Sequence, residues 1–231
     1  MSQESPIPGR TRQPKAVRET EILAAAYVIF SEKGFEKAAV SEIAKSAGVA
    51  EGTIYKYFAN KQDLLARVIG GFYQKLIDNT ESSLVGIKGV ENQLRVVITR
   101  HIQTFFEDLG ICRLLLQEVR PLNNYPHSEM HQLTKRYSEI LLKVIEDAIA
   151  RGEIRQGVSP QTIRDMIFGC LEHTGWNVLA LKKSPVDREK LTDEIISITL
   201  NGLSPPQQTS ENFEHSLERL EKLVNRLEQN Q

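Results

Sequence analysis

From Lys15 onward the apolar residues of this chain recur at intervals of three and four, with little of the two-residue alternation that marks half-buried strands. That spacing puts one apolar stripe on each of a series of helices and predicts an all-α fold. Between Lys15 and Lys33 the stripe is Ile22, Leu23, Ala26, Ile29 and Phe30, and Gly34 follows where a left-handed helix end is expected, with Phe35 folding back on it. Val40, Ile43, Ala44 and Ala47 predict a second helix stopped by Gly48, Glu51 to Phe58 a third, and a long periodic stretch opens at Asn60. Further stripes run through Leu94 to Phe106, Cys112 to Val119, Tyr137 to Ile149, Ile163 to Leu181 and Leu191 to Leu200. Turn and cap residues such as Gly110, Gly152 and Ser159-Pro160 separate them.

With 231 residues, 40% of them hydrophobic, the chain has the means for a sizeable core. Its 29 basic and 30 acidic side chains nearly cancel, so no global positive field marks a nucleic-acid partner. The basic residues are biased forward: residues 1–67 hold ten against eight acidic, the remainder nineteen against twenty-two. Arg10, Arg12, Lys15 and Arg18 lie in or beside a leader with Pro6, Pro8, Gly9 and Pro14, which reads as a flexible basic arm over residues 1–14. Two distant cysteines, Cys112 and Cys170, in apolar helical surroundings suit a reducing cytosol and argue against a disulfide scaffold or zinc ribbon. A signal-peptide pattern and an apolar run of about 18 residues are both missing, so the expected location is cytoplasmic, without a membrane partner. The sequence holds no Ser-His-Asp order, Cys-His pair or phosphate loop, and an enzyme is not expected. His127 and His131 have the spacing of helical metal ligands but lack a third, so neither metal nor cofactor is expected.

The segment Val40 to Leu65, VSEIAKSAGVAEGTIYKYFANKQDLL, has the order helix, glycine turn, helix, turn, helix that a helix-turn-helix requires, the motif itself covering about residues 39–58. Ile43, Ala44, Ala47, Val49, Ile54 and Phe58 supply a small core that sets the angle between the short helices. Gly52 leaves room for main-chain N–H groups to approach a phosphate. Lys56 is a candidate for guanine O6 and N7, the Thr53 methyl for thymine, and Tyr55 for a base edge or for packing. Both short helices have alanine at the cap, Ala39 and Ala50, and a missing cap hydroxyl costs about 1 kcal/mol. Ser41 is the expected substitute contact, and Glu51, which repels phosphate, either accepts from cytosine N4 or points away.

On the blocks EIAKSAGV, GTIYKYF and NKQDLL, at residues 42–49, 52–58 and 60–65, the chain resembles the TetR family. The resemblance implies a homodimer with paired DNA-reading heads and a helical remainder whose effector pocket shifts their separation. Thr53 and Tyr57 match DNA-backbone contacts of that family and Lys61 a phosphate-contacting lysine. One short helix reads few base pairs, so two heads about 34–36 Å apart on a palindromic operator are expected. The implied fold is a three-helix, homeodomain-like head over residues 15–60 and a larger effector-binding and dimerisation domain over 61–203.

In the second half, LLLQEVRPLNN, RYSEIL, ARGEIR and MIFG look similar to the acyl-CoA-responsive fatty-acid-degradation regulators of the same family. That resemblance implies a long apolar slot with Arg113 or Arg120 near its mouth for nucleotide phosphates. Phe105, Leu116 and Trp176 are its candidate lining or plain core. The broad apolar faces at residues 161–182 and 187–201 suit a two-fold four-helix interface, and repression is the mode the family implies. Residues 204–231 read as a linker and short helix, with a heptad seam at Phe213, Leu217, Leu220, Val224 and Leu227 inside 211–228. That tail resembles the opening of the small subunit of exodeoxyribonuclease VII. The alternative function is therefore a helical interaction or nuclease-accessory protein without sequence-specific DNA binding.

Overall fold

The computed structural model describes residues 14–120, 125–181 and 187–203. Regular structure among them is helical throughout, as the spacing predicts: α1 (Lys15–Lys37), α2 (Val40–Ser46), α3 (Glu51–Ile54), α4 (Lys61–Leu84), α5 (Val90–Glu107) and α6 (Leu109–Leu114), which runs into a π turn (Leu115–Val119). A 3-10 turn (Tyr125–His127), α7 (Glu129–Ala150), α8 (Pro160–Leu181) and α9 (Arg188–Leu203) complete the order. Among the described residues no helix is long and apolar enough to cross a membrane. The basic arm up to residue 13 and the heptad at 211–228 lie outside the described residues.

Local chemistry explains most of the boundaries. At the start of α4 the Asn60 side chain accepts from the Asp63 N–H at 2.8 Å, and the Asp63 carboxylate accepts from the Ala59 N–H at 2.9 Å. Ser128 caps α7 by accepting from the His131 N–H, and Gly152, at φ 74°, turns the chain after it. Two glycines act otherwise than their positions suggest. Gly34 does not end α1 in the left-handed region: at φ 77°, ψ 173° it breaks the helix, and one more turn follows to Lys37. Gly110 lies inside α6, whose break is made by Asp108. A Cβ at Gly110 would stand 2.6 Å from the Ser31 carbonyl oxygen, so its bare backbone is what lets α6 lie against α1.

Apolar residues gather in two cores. The first joins Ile22, Ala26 and Phe30 of α1, Ile43, Ile54 and Phe58 of the next two helices, the first half of α4, and Ile111, Leu114 and Val119. The second joins α5, α7, α8 and α9. In α8 the residues Ile163, Ile167 and Leu171 face this core, while Met166 and Trp176 on the other side are exposed. α9 buries Ile195, Ile196 and Leu203 and leaves Ile198 70% exposed. A cavity opens where the two cores meet, between α4, α5, α6, α7 and α8.

Candidate functional site

At the head, Ile43, Ala44, Ile54 and Phe58 are buried as expected, with Ala47 and Val49 packed against them. Gly48, at φ 65°, makes the turn between α2 and α3, its N–H bonded to Lys45 and that of Val49 to Ala44. Regular α-helix in α3 ends at Ile54; Lys56 and Tyr57 then bond three residues back, to Thr53 and Ile54, in a tightened turn. Neither Ala39 nor Ala50 makes a side-chain cap. At α2 half of the capping box survives, the Glu42 carboxylate accepting from the Ala39 N–H at 3.5 Å while pairing with Lys33 at 2.6 Å. Lys33, and then the Ala39 N–H, hold the Glu42 carboxyl below its ordinary pKa.

Ser41, Glu51, Gly52, Tyr55 and Lys56 are exposed, and Thr53, Tyr57 and Lys61 are half-buried. Tyr57 packs on the head core with Lys15 5.8 Å above its ring, so it is anchored at one end. Lys61 holds its ammonium 4.4 Å from the Phe35 ring and 3.3 Å from the Glu36 carbonyl oxygen, at the end of α1. Around Gly52 a Cβ would meet nothing within 4 Å. Among the described residues no neighbour requires a glycine there.

α6 and the π turn tie the head to the rest of the chain. Arg113 donates to the Ser31 and Glu32 carbonyls of α1 at 3.2 and 3.3 Å. Glu118 accepts from the Phe35 N–H at 2.6 Å, and its other oxygen would stand 2.5 Å from a Cβ on Gly34. The break in α1 is thus capped by a carboxylate 83 residues away. The opposite side of the same plate, through Cys112, Leu115, Leu116 and Arg120, is cavity wall.

The cavity measures about 550 Å³, in the range of small-molecule sites. Phe105, Leu116 and Arg120, three of the predicted ligand residues, line it. Arg113 and Trp176 are not on its wall: the first is engaged by α1 and the second is 43% exposed on the outer face of α8. Arg120 donates twice to Glu172, each bond 2.8 Å, so it meets a carboxylate of its own chain where an exogenous phosphate was expected. Burial opposes the Arg120 charge, and Glu172 outweighs it, leaving the pKa above its ordinary value. His101, missed as a site residue, lies against Phe168 and stacks on Tyr137, with Nδ1 3.2 Å from the tyrosine oxygen. Burial, offset in part by Glu172, lowers its pKa to about 4, and burial raises that of Cys112 to about 12. Both are neutral at pH 7. At the open edge lie Lys135 and Asp165, each with a side chain 68% exposed, beside Ser138 and Arg164.

Residues 22–68 match the bacterial regulatory proteins of the tetR family, and residues 72–202 match the C-terminal region of YsiA-like proteins. The fatty acid metabolism regulator protein of Bacillus subtilis is 28% identical over 194 residues, 84% of this chain and 98% of that protein. The HTH-type transcriptional repressor KstR2 of Rhodococcus jostii is 22% identical over 87% of this chain and 98% of its own length. Among solved structures, the B. subtilis regulator FadR in complex with stearoyl-CoA superimposes with a TM-score of 0.72 at 28% identity, covering 80% of this chain and 98% of that one. The fatty acid degradation regulator FadR of Bacillus halodurans gives 0.71 at 29% identity over the same shares.

Proposed function

Because the chain belongs to the TetR family and is a ligand-responsive, DNA-binding transcriptional repressor, we propose that its effector is a long-chain acyl-CoA thioester held in the cavity between its two cores. The observation that carries this reading is the cavity itself: an interior of Phe105, Phe168, Leu115 and Leu116 suits an acyl chain, and the edge offers Lys135 to phosphates beside Arg164, which pairs with Asp165 at 2.8 Å. The likeness to a regulator solved with stearoyl-CoA supports the same chemistry. Arg120 sits inside, paired with Glu172 about two turns of α8 in from the charged edge.

In this reading residues 15–60 form the reading head and 61–203 the effector and dimerisation domain. Thr53, Tyr57 and Lys61 grip the DNA backbone, together with main-chain groups at Gly52 and the Ser41 hydroxyl. Lys56 and Tyr55 face bases, with Glu51 beside them. A second copy covers the outer faces of α8 and α9, where Met166, Trp176 and Ile198 are exposed, and the pair reads a palindromic operator from the cytoplasm. α4 begins at Lys61, against the end of α1 in the head, and contributes Phe72, Tyr73 and Leu76 to the cavity wall, which suits it to carry the effector's displacement. The test is to recover genomic fragments bound by the protein and challenge the complexes with acyl-CoA thioesters of increasing length. Release by long chains is expected. Retention of DNA in the presence of all of them overturns the effector assignment and leaves DNA binding intact.

A further inference from the structure

Along α8 the cavity wall is built from residues one turn apart, Arg164, Phe168 and Glu172. The next turn carries Gly175, which is buried yet absent from the wall because the ring of Phe105 lies over it. A Cβ at Gly175 would stand 2.4 Å from Cζ and 2.5 Å from Cε2 of that ring, so phenylalanine reaches from α5 to the bare backbone of α8. On its flank Phe105 meets Phe106 edge-on at 6.1 Å, and Arg188 lies 5.0 Å from the Phe106 ring. With α8 and Phe106 occupying those sides, the free side of the Phe105 ring is the cavity.

From these contacts we propose that Phe105 seated on Gly175 is the end wall of the slot and sets the length of acyl chain the protein accepts. The inference rests on the acyl-thioester reading above. From the charged edge at Arg164 to the wall over Gly175, α8 rises about 16 Å at 1.5 Å per residue, which is the depth available to a chain entering between α7 and α8. A side chain at position 175 pushes the ring into the slot and shortens it; a smaller residue at 105 deepens it. Each methylene that finds no room costs about fourfold in affinity.

Calorimetric titration of the full chain with saturated acyl-CoA thioesters from octanoyl to eicosanoyl tests this. Gly175→Ala is expected to lower affinity for the longest chains by about fourfold or more and to leave the shortest unchanged. Alanine is the better helix former, so a lost helix does not account for that pattern. Phe105→Ala is expected to move the preferred length upward by about two methylenes, and Phe105→Leu by less, in keeping with the volume removed. In the Phe105→Ala background, Gly175→Ala has no ring to push and has no effect on the length profile. Length profiles that stay parallel in all four variants overturn the end wall while the acyl-thioester reading stands. Failure of the parent chain to bind any member overturns both.

Discussion

Gly52 and His101 show how a single residue reports what the chain alone does not need. A glycine inside a helix costs about 0.5–1 kcal/mol relative to alanine, and nothing in the structure crowds position 52. Gly52→Ala is therefore expected to raise the melting temperature while weakening DNA binding, a pair of opposite effects that a purely structural glycine does not give. His101 contributes to the pH dependence of stability. Unfolded, it takes a proton near 6.5; folded, only near 4. The fold therefore favours the neutral ring, with full effect above pH 6.5, and the advantage fades as pH falls toward 4. Urea midpoints are expected to decline across that window by an amount worth about 3 kcal/mol, and His101→Phe is expected to flatten the decline. Of these two residues only Gly52 is singled out by the sequence for a functional role. Its signal is local, a glycine at a fixed place in a motif, whereas the surroundings of His101 come from α7 and α8, far along the chain.

Among the elements, α6 and its π turn carry the contacts that tie the head to the rest of the chain. Periodicity predicts a helix through Cys112 to Val119 but not the extra residue in its last turn, which re-aims Glu118 toward the Phe35 N–H. Nothing near Glu118 in sequence marks it as a cap for α1, since cap rules concern neighbours three residues away and this partner lies 83 residues off. Glu118→Ala leaves that N–H without its acceptor and is expected to cost about 1–3 kcal/mol in denaturant unfolding. The same variant loosens Phe35, on which the Lys61 ammonium rests, so DNA affinity is expected to fall by more than the loss of folded protein accounts for. By contrast, the starts of α1 and α4 fall within one residue of where the sequence places them, because Pro14 at the cap and the Asn60–Asp63 pair are local devices. Arg113 is expected near the mouth of the slot and instead ties α6 to α1, which no sequence signal marks, for its partners are backbone carbonyls that any sequence would offer.

At the scale of the whole molecule, the exposed faces of α8 and α9 and the shared first core decide how the protein behaves as a unit. Ile198→Asp places a charge on a residue 70% exposed in the single chain, where it costs little to the fold. Light scattering is expected to show monomers, and affinity for a two-half-site operator is expected to fall to that of a single head. Broad apolar stripes mark this face in the sequence; the slot, with Phe105, Leu116 and Arg120, is reached through the family resemblance alone, because its lining comes from five helices whose mutual placement no local spacing encodes. The first core runs without a gap from Ile22 and Phe30 through Ile69 and Ile77 to Leu114 and Val119. The reading head is consequently no interchangeable cassette. Severed after Asn60 it keeps every residue of its motif and loses the α4 and α6 side chains against which α1 is packed, so a graft onto a foreign domain must bring those two surfaces with it.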